Sequence, residues 1–154
     1  MIRLYKPELD DLRFRQVLLA DEETMFYNRA WGGTIPFPKE QWQDWYDCWV
    51  LRPEGKRFYR YVQAESGAFV GEIAYHFDGE SGLCLADVII LSRFRGRGYG
   101  GRALELLCAA AKENGVSLLY DDIAADNPAI GLFLSHGFVE DHRTADKIYL
   151  RKRL

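Results

Sequence analysis

The chain has 154 residues, 48% hydrophobic and 28% charged, with a formal net charge of −3; one domain with a real core fits that length better than two. The lack of excess basic charge argues against a nucleic-acid partner, and no apolar run approaches membrane-spanning length. Cys48, Cys84 and Cys108 are odd in number and set among apolar residues, and with His76, His136 and His142 they form no metal-ligand spacing, so reduced thiols in a cytoplasmic protein without a signal peptide are expected.

Residues 1–6 read as a strand that stops at Pro7. Asp10 or Asp11 can cap a helix carrying Leu12, Val17, Leu18 and Leu19 and continuing to Tyr27. Residues 28–38 form a loop broken by Gly32-Gly33 and two prolines, and a second helix follows with Trp42, Trp45, Tyr46 and Trp49 at helical spacing. That aromatic stripe suits either core packing on a sheet or a substrate lid. Alternation then predicts strands over 57–63, 68–78 and 83–91, joined by turns at Ser66-Gly67 and at 79–82. A helix follows and ends near Asn114-Gly115. Strand 118–124, a short helix within 128–135 and a ribbon over 138–143 and 147–154 complete the order β-α-α-β-β-β-α-β-α-β-β.

One stretch concentrates chemistry. Leu85 to Leu91 is short, apolar and β-branched, as a buried strand would be. Ser92-Arg93-Phe94-Arg95-Gly96-Arg97-Gly98-Tyr99-Gly100-Gly101-Arg102 is a basic, glycine-rich turn, and after it Ala103, Leu107, Ala110 and Ala111 fall on one helical stripe. Glycines let backbone N–H groups approach a ligand, a helix N-terminus adds unpaired donors, and guanidiniums attract anions. A pyrophosphate cradle is the expectation. Gly96-x-Gly98-x-x-Gly101 formally matches the dinucleotide fingerprint, with Asp121 and Asp122 downstream. That motif should open a βαβ unit directly after its strand, yet three antiparallel strands precede it here and Ser92 to Arg95 intervene. A P-loop would need Gly-Lys-Ser/Thr, which is missing.

The run Arg95-Gly96-Arg97-Gly98-Tyr99-Gly100 resembles the R/Q-x-x-G-x-G/A signature of the GNAT superfamily, the acyl-CoA-dependent N-acyltransferases. Asn127-Pro128-Ala129-Ile130-Gly131-Leu132-Phe133-Leu134-Ser135-His136-Gly137-Phe138 resembles the same family's segment after its fifth strand. The resemblance spans essentially the whole chain as one N-acetyltransferase domain. It implies an α/β (α+β) fold with a mixed, mostly antiparallel sheet of about six or seven strands and about four flanking helices. It further implies acetyl-CoA as cofactor, bound through Arg95, Gly96, Arg97, Gly98, Tyr99, Gly100, Gly101 and Arg102 at the pyrophosphate. Ile90 and Leu91 would pair with pantetheine like an added strand, and Asn127 and Phe133 would contact it from the far side. Where the family often has a tyrosine that protonates the departing thiolate, this chain has Phe133, so the general acid is unassigned. A homodimer is common in the family, though no residue pattern here indicates one.

Acyl transfer to an amine needs a base for the ammonium proton and a donor for the developing oxyanion. Asp87, inside an apolar strand, and Glu72, on a strand face with Ala74 and His76, are the candidate bases; each could instead be a structural partner. Asp122 and His136 are weaker candidates. Tyr27, Asn28, Trp31, Trp45 and Tyr75 are the expected acceptor pocket, by family layout and aromatic density. The function expected is N-acetylation of a primary amine on a small molecule or peptide by direct attack in a ternary complex. The alternative is a non-catalytic acyl-CoA-binding module.

Overall fold

Seven strands form: β1 (Ile2–Tyr5), β2 (Arg57–Ala64), β3 (Phe69–Phe77), β4 (Cys84–Ile90), β5 (Leu118–Ala124), β6 (Val139–Arg143) and β7 (Lys147–Arg153). The structure is a computed structural model describing residues 1–154, and in it the strands form one sheet in the order β1-β2-β3-β4-β5-β7-β6. Every pairing is antiparallel except β4 with β5, which run parallel and meet at a single bridge, Leu85 with Tyr120. Beyond that bridge the two strands part. The helices are α1 (Leu12–Ala20), α2 (Trp42–Tyr46), α3 (Tyr99–Glu113) and α4 (Ile130–Ser135). None is long and apolar enough to cross a membrane.

The sheet is covered on both faces. On one, Ala103, Leu104, Leu107, Cys108 and Ala111 of α3 bury against Val62, Ile73, Tyr75, Ala86 and Ile90. Each large aliphatic side chain contributes about 1.5–3 kcal/mol of burial there. The α3 stripe thus runs through Leu104 and Cys108, with Ala110 only half-buried. On the other face, Leu12, Leu18 and Leu19 of α1 pack with Met25, Phe37 and Trp42 over Ile89 and Leu91, beside a second cluster of Val50, Tyr59, Tyr61 and Ala74.

The first helix is shorter than its pattern predicts. Asp21 turns extended (φ −80°, ψ 112°) and ends α1 at Ala20. Its carboxylate accepts from the Thr24 amide at 3.1 Å and from the Ser92 hydroxyl at 2.7 Å. Side-chain bonding of this kind offers the backbone an alternative to helix. A 3₁₀ segment, Thr24–Trp31, follows and replaces the start of the expected loop; Gly32 at φ 110° closes it. The tryptophan-rich helix is also composite: α2 begins after a 3₁₀ turn at Lys39–Gln41 and widens into a π turn at Asp47–Leu51. Pro53 disfavours helical backbone at Arg52 and stops it there.

Gly71 of β3 lies opposite Ile90. A Cβ there would collide with the Ile89 carbonyl oxygen and come within 2.8 Å of Ile90 Cδ1. Only glycine lets β3 approach the end of β4 so closely. Gly71→Ala should therefore cost about 1–3 kcal/mol in denaturant unfolding. An unfolding midpoint equal to that of the wild type would contradict this packing.

Candidate active site

Where β4 and β5 part, a cavity of ≈ 1130 Å³ opens between the sheet, the segment Thr24–Trp31 and the N-termini of α3 and α4. Ligands favour such openings at the carboxyl ends of parallel strands.

One end of the cavity is the basic turn. Gly96 (φ 78°) and Gly98 (φ 82°) adopt left-handed backbone, and an added Cβ at either would meet nothing within 4 Å. The N–H groups of residues 96–101 make no hydrogen bond to any backbone carbonyl. Six consecutive free donors at the start of a 15-residue helix form an anion-binding concavity. Gly100 and Gly101 serve another purpose. A Cβ at Gly100 would stand 3.3 Å from Leu132, and one at Gly101 3.1 Å from His136, so both are spaces for α4.

The arginines divide in the same way. Arg95 donates through Nε to the Ile90 carbonyl at 3.1 Å and through Nη2 to the Thr24 carbonyl at 3.0 Å, so it braces the turn from behind. Arg102 pairs with Glu105 at 2.9 Å. Arg93 and Arg97 lie over the Phe94 ring, at 4.9 and 5.6 Å, with no carboxylate partner. They are the guanidiniums left for an anion.

The free edge of β4 is offset by one residue from its sequence-based assignment. The Leu91 amide donates to the Val70 carbonyl at 2.9 Å, so it is not available to pantetheine. Antiparallel strands alternate the direction of their bonding groups. Val88 and Ile90 therefore face the gap, with the Ile90 carbonyl already bound to Arg95. Across the gap, Asn127 Oδ1 accepts from the Ala129 amide at 2.9 Å, in the turn that leads into α4. Phe133 is buried edge-to-face on Phe138, with ring centroids 5.0 Å apart, and lines the cavity without a hydroxyl.

The other end is aromatic and acidic. Trp45 and Trp49 stack at 5.9 Å, and Trp45 meets Tyr59 edge-on at 4.6 Å. Tyr27, Asn28 and Trp31 line the mouth. The Asn28 side chain is held by the Gly33 carbonyl at 2.9 Å, and Lys147 lies 5.1 Å from the Trp31 ring centroid. Tyr75 does not belong to the pocket. It faces α3, where it stacks on Phe58 at 5.4 Å and accepts from Asn114 at 3.0 Å. Its position alternates with the face that carries Glu72 and His76.

The two candidate bases separate on inspection. Glu72 is 2% exposed; its Oε2 accepts from the Tyr59 hydroxyl and lies 3.6 Å from Arg15 Nε. Burial and this carboxylate push the Tyr59 hydroxyl well above its usual range. Asp87 is exposed to the cavity and pairs with Ala74 across the strands; its carboxyl meets no other side chain in a hydrogen bond or ion pair, only the backbone of Val88. Its depth, then the charge of Glu72, push its carboxyl up to about 7, against an opposing pull from Arg15. Neighbouring Asp121 is pushed well above the carboxylate range, first by burial and then by Asp87. Asp122 is bound to Lys147 at 2.9 Å. His136 caps α4 through Nδ1 to the Leu132 carbonyl, 2.8 Å away. Arg15, Tyr59 and Lys147 were not singled out from the sequence, and Asp121 only as an acidic residue downstream of the glycine turn.

The two ends are joined. Asp21 binds Thr24 and Ser92, the Ser92 amide donates to the Thr24 hydroxyl at 2.8 Å, and Arg95 holds the Thr24 carbonyl. The segment carrying Tyr27, Asn28 and Trp31 is thus tied to the basic turn.

Solved structures share this architecture. A ribosomal-protein-alanine N-acetyltransferase from Brucella melitensis aligns with TM-score 0.77 at 25% identity, over 100% of this chain and 99% of that one. The PaiA N-acetyltransferase of Thermoplasma acidophilum in complex with coenzyme A aligns with TM-score 0.74 at 11% identity, over 100% and 99%. The yncA structure from Salmonella typhimurium, with its cofactor acetyl-CoA, aligns with TM-score 0.73 at 17% identity, over 100% and 93%. No curated protein sequence matches the chain. The profile described as the acetyltransferase (GNAT) family matches residues 17–138. With that match over most of its length, the chain belongs to the GNAT family of acetyltransferases.

Proposed function

We propose that the protein acetylates the primary amine of a small molecule or peptide by direct attack in a ternary complex, with Asp87 as general base. The observation that carries this reading is the unpaired Asp87 carboxyl, pushed up to about 7 beside the open edge of β4. A base near the working pH best combines being deprotonated with being basic enough to accept a proton. Glu72 is the weaker candidate because its oxygen is engaged by Tyr59 and Arg15.

The free amides of residues 96–101 suit a pyrophosphate, and Arg93 and Arg97 stand beside them. Val88 and Ile90 present backbone groups for pairing with pantetheine amides. Acetyl-CoA, when bound, supplies an acetyl group on a thioester. Asp87 takes the proton that an arriving ammonium must lose, and a Val88 or Ile90 N–H provides the donor for negative charge on the carbonyl oxygen. Phe133 gives no proton to the leaving sulfur. A thiol pKa of about 8.5 makes that sulfur a tolerable leaving group without an acid. The unpaired Cys48, Cys84 and Cys108 suit a reducing, cytoplasmic setting.

Three outcomes are expected. Gly98→Glu sets a carboxylate in the open space of the turn, on backbone that disfavours side chains. Calorimetry should find acetyl-CoA binding abolished, and wild-type affinity would remove the turn from the donor site. Asp87→Asn should lower kcat by about 10²–10⁴, with donor affinity unchanged. The wild-type kcat/KM should rise with pH through about 7 as Asp87, facing Glu72, Arg15, Asp121, Asp122 and Tyr27, loses its proton. That limb should vanish in the variant; an unaltered profile would exclude Asp87 as base.

The same shift bears on stability. A carboxyl whose folded pKa is raised binds its proton more tightly in the native state, so its contribution falls as pH rises from 3.8 to about 7. Asp87 is exposed to the cavity, so solvent screens part of this effect; Asp87→Asn should raise the Tm at pH 8 by a degree or two, roughly, and leave it near wild type at pH 4. An equal Tm difference at both pH values would contradict a raised pKa.

A further inference from the structure

Arg15 has no part in the steps above, yet it is the most unusual side chain in the cavity. Its guanidinium lies 4.4 Å from the Trp45 ring centroid and 4.8 Å from that of Phe37. Its Nε is buried with no hydrogen-bond partner, and its only ion pair, to Glu72, is 3.6 Å long. The side chain is 16% exposed, and it lines the cavity. Stacking of this kind fixes a guanidinium and leaves its donor fork open for planar, bidentate recognition.

We propose that the acceptor is an apolar α-amino acid, whose carboxylate is bound by Arg15 while its ammonium is delivered to Asp87. This deepens the reading of Asp87 as base and rests on it. The spacing supports the pairing: Glu72, which holds Arg15, lies opposite Ile89, while Asp87 stands two residues along the same strand face. Diagonal neighbours on a sheet face lie about 7–8 Å apart, a span that an Arg15 side chain and a small zwitterion close together.

Charge points the same way. Arg15 and Glu72 neutralise one another, and Asp87 in its basic form needs one cation. An amine without an anionic group would leave the Arg15 donors unmatched in an aromatic surround, where unmet polar groups are costly. An acceptor with net negative charge would bring its second anion against Asp87 in its basic form. A zwitterion satisfies both ends. Trp45, Trp49 and Tyr59 line the remaining wall, which favours an apolar side chain.

Titration calorimetry of the enzyme–CoA complex tests this. Leucine, methionine and phenylalanine would each be compared with the carboxamide and with the decarboxylated amine. At least one free amino acid should bind tenfold or more tighter than both of its counterparts, as a bidentate charge-assisted contact predicts, roughly. Equal binding across each set, or no binding by any member, would overturn the proposal. Removing Arg15 alone strands a buried Glu72 carboxylate, so the variant of choice is Arg15→Met with Glu72→Gln, which keeps an acceptor for Tyr59. There the preference should collapse to within about threefold while CoA still binds. A preference that survives would overturn Arg15 as its source; if this variant does not fold, the wild-type comparison decides alone. Free-thiol release distinguishes the two readings: a carboxylate preference in binding without turnover removes Asp87 as base, whereas turnover of amines without that preference removes Arg15 as reader.

Discussion

The parting of β4 from β5 is the constraint on which the rest depends. One parallel bridge, Leu85 with Tyr120, joins strands that would otherwise run side by side. Past it, Val88 and Ile90 keep backbone groups that no neighbouring strand satisfies, and Asp87 looks into a gap instead of a packed sheet. A buried edge is costly unless something pairs with it. A ligand with extended amides meets that need, so the defect in the sheet and the donor site are one feature.

The turn after β4 follows from the same opening. The 15-residue helix α3 begins beyond the end of β4, on the open side of the bridge, and its first amides have no carbonyl to meet. Gly96 and Gly98 shape that concavity, while Gly100 and Gly101 let α4 close in from the other side. Arg95 ties the turn to the Thr24–Trp31 segment, which roofs the acceptor end. Donor and acceptor pockets therefore share a brace. The acidic floor costs stability in return: Glu72 and Asp122 raise Asp87, and Asp87 in turn raises Asp121, as catalytic groups often do at the expense of the fold.

Much of this was legible in the sequence. Alternation located β2 and β3, a short β-branched run located β4, and the glycine–arginine turn gave the anion site, because local geometry there depends on residue type alone. Asp87 was legible as a polar residue in an apolar run. What was hidden depends on tertiary contact. Nothing near Arg95 marks it as a brace, because its partner Thr24 lies far back along the chain; the Arg102–Glu105 pair, three residues apart on one helix, was open to sequence reading. Arg15 and Tyr59 come together with Glu72 only when α1 crosses β2 and β3. Tyr75 is different: the alternation that put Glu72 and His76 on one face already put Tyr75 on the other, and aromatic density outweighed that signal. The break at Asp21 was missed because its carboxylate bonds Ser92, far along the chain.

The central claim is that the opened sheet holds Asp87 as a carboxyl titrating near neutrality. Carbon-13 NMR of the labelled Asp87 carboxyl, followed across pH in the folded protein, measures this directly. The account predicts a midpoint near 7. A midpoint near the ordinary 3.8 would contradict it, and would leave the cavity a donor site without its base.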